Sequence, residues 1–157
     1  MSIKFHSTVI LVNDLTVMKN FYMQVLQQEI EFDFGACIGL KCGLSLWKLQ
    51  DDFHVTQKRG TAFHSSGNKN IEICFETDSF DLVVDELQKQ NLHYLHTIIE
   101  EPWGQRTVRF FDPENNLIEL GESMECFVKR FLNQGMSVEQ VSARTSVPLQ
   151  FVQSCVK

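Results

Sequence analysis

Hydrophobic and polar positions alternate most clearly in residues 100–122, EEPWGQRTVRFFDPENNLIELGE. In residues 105–111 a period of two divides a predicted strand into two faces, one with Gln105, Thr107, Arg109 and Phe111 and the other with Arg106, Val108 and Phe110. Residues 112–116, DPENN, form a turn, because proline presets φ and asparagine tolerates the left-handed conformation. Residues 117–121 predict the returning strand. Glu119 lies in its apolar middle and needs a partner, since an unpaired buried charge is costly.

The same order of elements is predicted twice along the chain. The first pass is a strand at 4–12, a helix capped by Asp14, and strands at 29–34, 36–41 and 43–49. The second is a strand at 71–77, a helix from Phe80 to near Asn91, and strands at 93–99, 105–111 and 116–122. Ser79 follows Asp14 by 65 positions, and Glu72 follows Ser7 by the same interval. We therefore predict a diverged internal duplication of a strand, a helix and three strands.

Two further segments differ in character from these repeats. Residues 50–70 are polar and contain two glycines, which predicts a linker in which His54 and His64 are surface residues. Residues 124–157 predict three short helices resembling a helix-turn-helix hairpin. This tail has four Lys/Arg against two Asp/Glu, and its last helix has no basic residue before Lys157, which disfavours DNA binding. We expect it to pack on the domain or on a dimer mate.

Composition narrows the class of protein. The 157 residues are 43% hydrophobic, with 13 Phe, which is enough for one folded domain with a real core. The net charge of −6 disfavours general affinity for nucleic acid or anionic membranes. No apolar run is long enough for a membrane span and no secretory signal is visible, so we expect a cytoplasmic protein. The five cysteines show no CxxC spacing and are expected as small core residues.

The duplicated unit, with the phrases VNDLTVMKNFYMQVL and RFFDPENNLIEL, resembles the vicinal oxygen chelate superfamily of glyoxalase I, fosfomycin-resistance transferases, extradiol dioxygenases and bleomycin-resistance proteins. The resemblance covers residues 3–123. It implies an α+β fold in which two βαβββ modules, 3–49 and 71–123, form a cup-shaped mixed sheet, with residues 124–157 as a short C-terminal helical appendage. It also implies a homodimer holding a small molecule or a divalent metal in the cup.

The resemblance also implies where metal ligands would lie. The family draws them from the first strand of each module, usually His, and from the last strand, usually Glu. Glu119 matches the last-strand glutamate of the second module, and Glu72 takes the place of its first-strand histidine. The first-module counterparts are Ser7 and Leu46. His6 is one position off, so only a bulge would turn it inward.

Two arrangements of these side chains remain open. Glu72 and Glu119 could hold Mg²⁺ or Mn²⁺, which prefer oxygen ligands, more readily than Zn²⁺ or Ni²⁺. Alternatively, Arg109 could bridge both carboxylates without any metal. The carboxylates could also raise each other's pKa and provide a general base. On the same face, Cys74 is either a nucleophile or an inert thiol.

Two functions of different class follow. The first is a metal-dependent lyase, isomerase or transferase acting on a small oxygen-rich substrate, with Glu119 and Glu72 as catalytic residues and Arg109 holding an anionic group. The second is a non-catalytic protein that sequesters a small molecule, as bleomycin-resistance proteins do. Further ligand contacts are expected from Trp103, Trp47, Thr107 and Ser7, although both tryptophans could instead be core aromatics.

Overall fold

A computed structural model of the chain describes residues 3–50, 57 and 71–156. Nearly all of the predicted linker, including His54 and His64, lies outside the described residues. The chain divides into two compact units. The first comprises Met1–Lys69 with Asp112–Asn116, and the second comprises Asn70–Phe111 with Leu117–Lys157.

The first unit contains one βαβββ module. Its elements are β1 (Thr8–Val12), α1 (Leu15–Asn20) continued by a π-helical segment (Phe21–Val25), β2 (Ile30–Asp33), β3 (Cys37–Leu40) and β4 (Leu44–Lys48). The strand order is β1-β4-β3-β2, with β1 parallel to β4 and the other pairs antiparallel. Asp14 caps α1, since its carboxylate accepts a hydrogen bond from the Val17 amide at 3.0 Å.

The turn between the last two strands of the chain belongs to this first unit. Glu114 accepts hydrogen bonds from the backbone amides of Asn13 at 2.7 Å and Asp14 at 2.9 Å. The buried Tyr22 hydroxyl lies 3.3 Å from the Asp112 carboxylate. Burial is the main cause that raises the pKa of Tyr22, and the charge of Asp112 is the second. The sequence DPENN therefore forms a turn, and the Glu114 side chain of this turn binds the backbone just before α1.

The second unit repeats the module. It contains β5 (Glu72–Thr77), α2 (Phe80–Gln88), β6 (His93–Glu100), β7 (Arg106–Phe111) and β8 (Leu117–Glu122). The order β5-β8-β7-β6 matches that of the first unit, and β5 is likewise parallel to β8. The predicted α+β class with two βαβββ modules is confirmed.

The first strand is shorter than predicted. Thr8 pairs with Leu44, the first residue of β4, and its amide donates to the Gly43 carbonyl at 3.0 Å. Residues 4–7 precede this point and have no strand partner in the described part of the chain. The backbone of a strand needs hydrogen-bond partners on a neighbouring strand. Because β4 begins at Leu44, opposite Thr8, it has no residues that could pair with residues 4–7.

The C-terminal tail forms three helices, α3 (Met124–Asn133), α4 (Val138–Thr145) and α5 (Leu149–Ser154). Ser123 caps α3, and Ser137 with Gln140 forms a capping box on α4. The helices enclose a small core of Phe127, Val128, Phe131, Val141, Val147, Val152 and Cys155. The predicted helical appendage is present.

The expectation that the cysteines are core residues is wrong for four of the five. Cys155 alone is buried, whereas Cys42 and Cys74 are exposed, and Cys37 and Cys126 are partly exposed. Cys42 lies in the turn before β4, and Cys74 lies on the same face of β5 as Glu72. Their apolar character could not reveal these positions, because a thiol is small enough for either environment.

A buried carboxylate joins the tail to the second module. Glu122, at the end of β8, is 0% exposed. It accepts hydrogen bonds from Arg106 Nε at 2.9 Å and from Arg130 Nη2 at 3.0 Å, the second reaching from α3. Burial alone would raise the pKa of Glu122, but the hydrogen bonds from Arg130 and Arg106 outweigh it and lower the pKa. The carboxylate is therefore ionised and fully paired.

A glycine allows the tail to approach the turn between β6 and β7. Gly104 has φ +97°, and a Cβ placed there would lie 2.5 Å from the Phe131 ring. The Gly104 carbonyl also accepts a hydrogen bond from Arg130 at 2.5 Å. Both the left-handed backbone and the close contact of the α3 aromatic ring require glycine.

Gly104→Ala should destabilise the protein more than Gly135→Ala. Both glycines have positive φ, but a Cβ at Gly135 meets no atom within 4 Å. The backbone strain common to both variants is worth about 1–3 kcal/mol, and overpacking against Phe131 should add roughly 1–3 kcal/mol to the first. Denaturant unfolding of both variants measures this difference. Equal losses would show that Phe131 does not press on Gly104.

Glu122→Gln should lower the free energy of unfolding by about 3 kcal/mol at pH 7, because it leaves two arginines without their buried counter-charge. The folded-state pKa of Glu122 is lowered, so its contribution is present above the unfolded pKa and is lost as pH falls through the folded value. The variant should therefore lose less stability between pH 6 and pH 3 than the parent.

The matched control is Glu125→Gln, which removes an exposed α3 carboxylate paired with Lys129 and should cost much less. Denaturant titrations across this pH range measure both variants. An unchanged pH slope in Glu122→Gln would contradict the pairing.

Candidate functional site

One row of side chains crosses the second-unit sheet. Cys74 on β5 is in register with Glu119 on β8, Glu119 with Arg109 on β7, and Arg109 with His96 on β6. Cross-strand neighbours in register point to the same face, so the four side chains form a continuous polar line. Glu72, two residues before Cys74, adds a second carboxylate to this face.

Arg109 is the centre of the cluster. Its Nε donates to Glu72 at 2.5 Å, its Nη1 donates to Glu101 at 2.5 Å, and its Nη2 pairs with Glu119. Nη1 also lies 3.3 Å from Thr107 Oγ1 and 3.2 Å from His96 Nε2. The Arg109, Glu101 and Glu119 side chains are largely buried, whereas Glu72 is partly exposed. All three guanidinium nitrogens therefore have carboxylate partners.

Glu101 and Glu119 differ in their proton affinity. The hydrogen bond from Arg109 lowers the pKa of Glu101. Burial raises the pKa of Glu119, and repulsion from Glu72 and Glu101 adds to this, although Arg109 acts in the opposite direction. With all three carboxylates ionised, three negative charges face one guanidinium. The pKa of Glu119 thus moves toward that of a general base, whereas the pKa of Glu101 moves away from it.

Cys74 is not activated as a nucleophile. Burial, followed by the charges of Glu119 and Glu72, raises the pKa of its thiol to about 11. At pH 7 only about one thiol in ten thousand would then be ionised. The interpretation of Cys74 as an inert thiol therefore has the support of its surroundings, although it is not buried.

Two more predicted residues lie near this cluster. Thr107 is 0% exposed and donates to Glu101 at 3.1 Å, so it supports the carboxylate instead of presenting a free hydroxyl. Trp103 is 42% exposed in the turn between β6 and β7, and its indole N–H donates to Gln105 at 3.1 Å. Trp103 is thus not a core aromatic, and part of its ring surface remains open to solvent.

The other predicted site residues belong to the first unit. Ser7 and His6 precede β1, Ser7 partly buried and His6 exposed. β1 pairs with β4 from Thr8 to Val12 without a register shift, and His6 lies before this paired segment. Trp47 lies on β4 with 39% of its surface exposed, which excludes it from the core.

The register also corrects one first-module counterpart. β1 ends with Val12 opposite Lys48, and β5 ends with Thr77 opposite Glu122. Lys48 and Glu122 are therefore equivalent, and the residues three positions before them are Ser45 and Glu119. The first-module counterpart of Glu119 is thus Ser45 and not Leu46. Counting along the sequence gave Leu46 because turn lengths differ between the modules, and only strand pairing sets the equivalence.

Glu101 and His96 are members of the cluster that sequence reasoning missed. Glu101 follows β6, outside any alternating pattern, and a turn brings it to Arg109. In β6 a register shift between Tyr94 and His96 places two residues against one on β7. This bulge moves His96 to the Arg109 face, which strict alternation could not predict.

A divalent cation fits this donor set poorly as it stands. Ligand atoms of Glu72, Cys74 and Glu119 lie within 4.8 Å of one another, which is close enough for an ion. However, both carboxylates are paired with Arg109, and the Cys74 thiol holds its proton strongly. A metal would therefore have to displace the guanidinium from two carboxylates.

Alkylation of Cys74 should report the charge of the cluster. In a variant whose sole cysteine is Cys74, reaction with iodoacetamide at pH 8 should be slow, because the thiol pKa is about 11. Adding Glu119→Gln removes a charge that raises this pKa, so the rate should increase about threefold or more. A sole-Cys42 variant, also exposed, is the control and should not respond to Glu119→Gln. No acceleration at Cys74 would contradict the electrostatic cause.

No helix among the described residues is long and apolar enough to cross a membrane.

Comparison with solved structures finds the same fold in several proteins. A protein of unknown function from Agrobacterium tumefaciens str. C58 is 25% identical with a TM-score of 0.69, covering 79% of this chain and 97% of that one. A lactoylglutathione lyase from Agrobacterium tumefaciens is 26% identical with a TM-score of 0.53, covering 76% and 93%. A member of the glyoxalase/bleomycin resistance protein/dioxygenase superfamily from Sphaerobacter thermophilus DSM 20745 is 20% identical with a TM-score of 0.58, covering 78% and 98%.

Comparison with curated proteins finds no match. The glyoxalase-like domain family matches residues 5–125, most of the chain, and its match ends where α3 begins. The match therefore spans both βαβββ modules and includes the Arg109 row. On this evidence the chain belongs to the glyoxalase-like domain family, within the vicinal oxygen chelate superfamily.

Proposed function

We propose that this protein binds a small molecule without catalysing its conversion, and that Arg109, instead of a divalent metal, neutralises the second-module carboxylates. The observation that carries the proposal is the set of ion pairs from one guanidinium to Glu72, Glu101 and Glu119. A fully paired arginine is a stable counter-ion, and its pKa is raised further by these carboxylates against the effect of burial.

The first module supports the same conclusion. The positions equivalent to Glu72 and Glu119 are Ser7 and Ser45, and a neutral hydroxyl is a weak ligand for a divalent ion. The chain therefore departs from the family's ligand pattern in both modules. Small-molecule sequestration needs no Lewis acid and is compatible with this departure.

The charges of the cluster also indicate which ligand it would contact. Arg109 is already neutralised by three carboxylates, so it is poorly suited to hold the anionic group expected from the sequence. The excess negative charge favours a ligand with a cationic group or several hydrogen-bond donors. The open part of the Trp103 ring provides a surface on which a flat ligand can stack.

A metal-dependent lyase, isomerase or transferase is the second candidate. It is favoured by the close approach of Glu72, Cys74 and Glu119, and by the raised pKa of Glu119, which suits a general base. Mg²⁺ or Mn²⁺, held by the carboxylates after Arg109 withdraws, would polarise oxygen atoms of the substrate. Glu119 would then be either a ligand or the base.

The proposal includes the assembly and domain division expected from the sequence. We propose a cytoplasmic homodimer in which residues 1–123 form the glyoxalase-like domain and residues 124–157 are an appendage. Sedimentation of the purified full chain tests the dimer.

Replacing Arg109 should convert the cluster into a cation site. The parent protein should show no Mn²⁺ binding at submillimolar concentration, because the guanidinium occupies Glu72 and Glu119. Arg109→Met removes that charge and leaves three neighbouring carboxylates, so Mn²⁺ affinity should rise at least tenfold. Electron paramagnetic resonance of free Mn²⁺ at pH 8 measures both proteins.

The double variant Arg109→Met with Glu119→Gln is the control and should lose the gained affinity. Micromolar Mn²⁺ binding by the parent, with a raised melting temperature, would overturn the metal-free proposal and favour the second candidate. Circular dichroism checks that each variant is folded.

A further inference from the structure

We propose that Arg130 and Arg144 of the C-terminal tail are positioning residues for the Arg109 site. They bind the turn at residues 101–105 from outside, and this turn carries Glu101 to Arg109 and Trp103 to the surface. The inference deepens the proposed function and rests on it where it assigns ligand binding to this site. The contacts themselves lie within the second unit and are independent of any ligand.

The contacts of Arg144 are directed at the turn. From α4, its Nη1 donates to the Pro102 carbonyl, and its Nη2 lies 3.2 Å from the Glu100 carboxylate. Its guanidinium also lies 5.8 Å from the centre of the Phe131 ring. Arg144 thus binds both the strand end that precedes the turn and the backbone of the turn.

Arg130 binds the other end of the turn from α3. Its Nη2 donates to the Gly104 carbonyl at 2.5 Å, and its Nη1 lies 3.1 Å from Glu100. The guanidinium stacks 4.7 Å from the Phe131 ring centre, and the same ring occupies the space beside Gly104. Two cations and one aromatic ring of the tail therefore hold the backbone on both sides of Trp103.

The turn transmits this contact to the site. The Glu101 amide donates to the Gln105 carbonyl at 2.8 Å, and the Gly104 amide donates to the Glu101 carbonyl at 2.7 Å. The Glu101 carboxylate then binds Arg109 Nη1 at 2.5 Å and Thr107 at 3.1 Å. Because the turn is closed by these short bonds, loss of the tail contacts should displace Glu101 together with Trp103.

The partners of the cationic tail residues support the positioning role of Arg130 and Arg144. Of the tail cations in the described residues, Lys129 pairs with Glu125 on its own helix, whereas Arg130 and Arg144 reach into the module. The excess positive charge of the tail is thus directed at Glu100, Glu122 and two backbone carbonyls. Arg130 and Arg144 are therefore paired within the chain and are not available to bind a polyanion.

The test is Arg144→Ala in the full-length protein. Arg144 is partly exposed, so the melting temperature should stay within about 3 °C of the parent. Hydrogen exchange at the Glu101 and Gly104 amides should accelerate about tenfold, because the turn opens more often. The Glu101 carboxyl, followed by carbon NMR, should titrate at higher pH than in the parent, since its hydrogen bond to Arg109 lowers its pKa.

A third readout is the emission of Trp103 in a Trp47→Phe background, which should shift to longer wavelength when Arg144 is replaced. Arg144→Lys keeps a cation near Glu100 and should restore part of each change. Lys129→Ala is the matched control, because it removes a tail cation that does not touch the turn, and it should leave all three readouts unchanged.

Parent-like amide exchange and Glu101 titration in Arg144→Ala would overturn the proposal. A variant with faster exchange throughout α4 and α5 would do the same, because it would show general loosening of the tail. None of these readouts uses a metal or a ligand. They therefore stay interpretable if the parent protein proves to bind Mn²⁺, and the two failures can be told apart.

Discussion

The second unit depends on the pairing of buried carboxylates with arginine. Glu122 is closed off from solvent at the end of β8, and it is ionised only because Arg106 and Arg130 surround it. On the opposite face, Arg109 forms ion pairs with Glu72, Glu101 and Glu119. Each arginine presents several donors in a fixed plane, which lysine could not do. Two sheet faces are thereby stabilised by the same physical solution.

The same kind of pairing occurs on the face of the second-unit sheet that carries Glu72 and Glu119. On this face Glu72 and Glu119 stand at the positions where the family resemblance places ligands, and both pair with Arg109. The Arg109 guanidinium thus provides the counter-charge for the carboxylates at both of these positions. The fold alone therefore does not fix the chemistry of the site.

Two arginines of the C-terminal tail find their partners inside the second unit. The tail resembles a helix-turn-helix hairpin in sequence, and its small positive excess of four Lys/Arg against two Asp/Glu disfavours DNA binding. In the structure Arg130 and Arg144 bind Glu100 and turn carbonyls of the second module. The tail is therefore an integral part of the second unit.

The sequence by itself determined the two βαβββ modules, the DPENN turn, the Asp14 cap and the shared face of Glu119 and Arg109, because these follow from local periodicity and turn chemistry. It left open whether Glu72 and Glu119 bind a metal or Arg109, since both arrangements need the same residues. Tertiary structure alone decided that His96 joins the row through a bulge, that Glu101 returns through a turn, and that Ser45 is the counterpart of Glu119. These depend on strand register and on contacts between distant segments, which alternation within one strand does not contain.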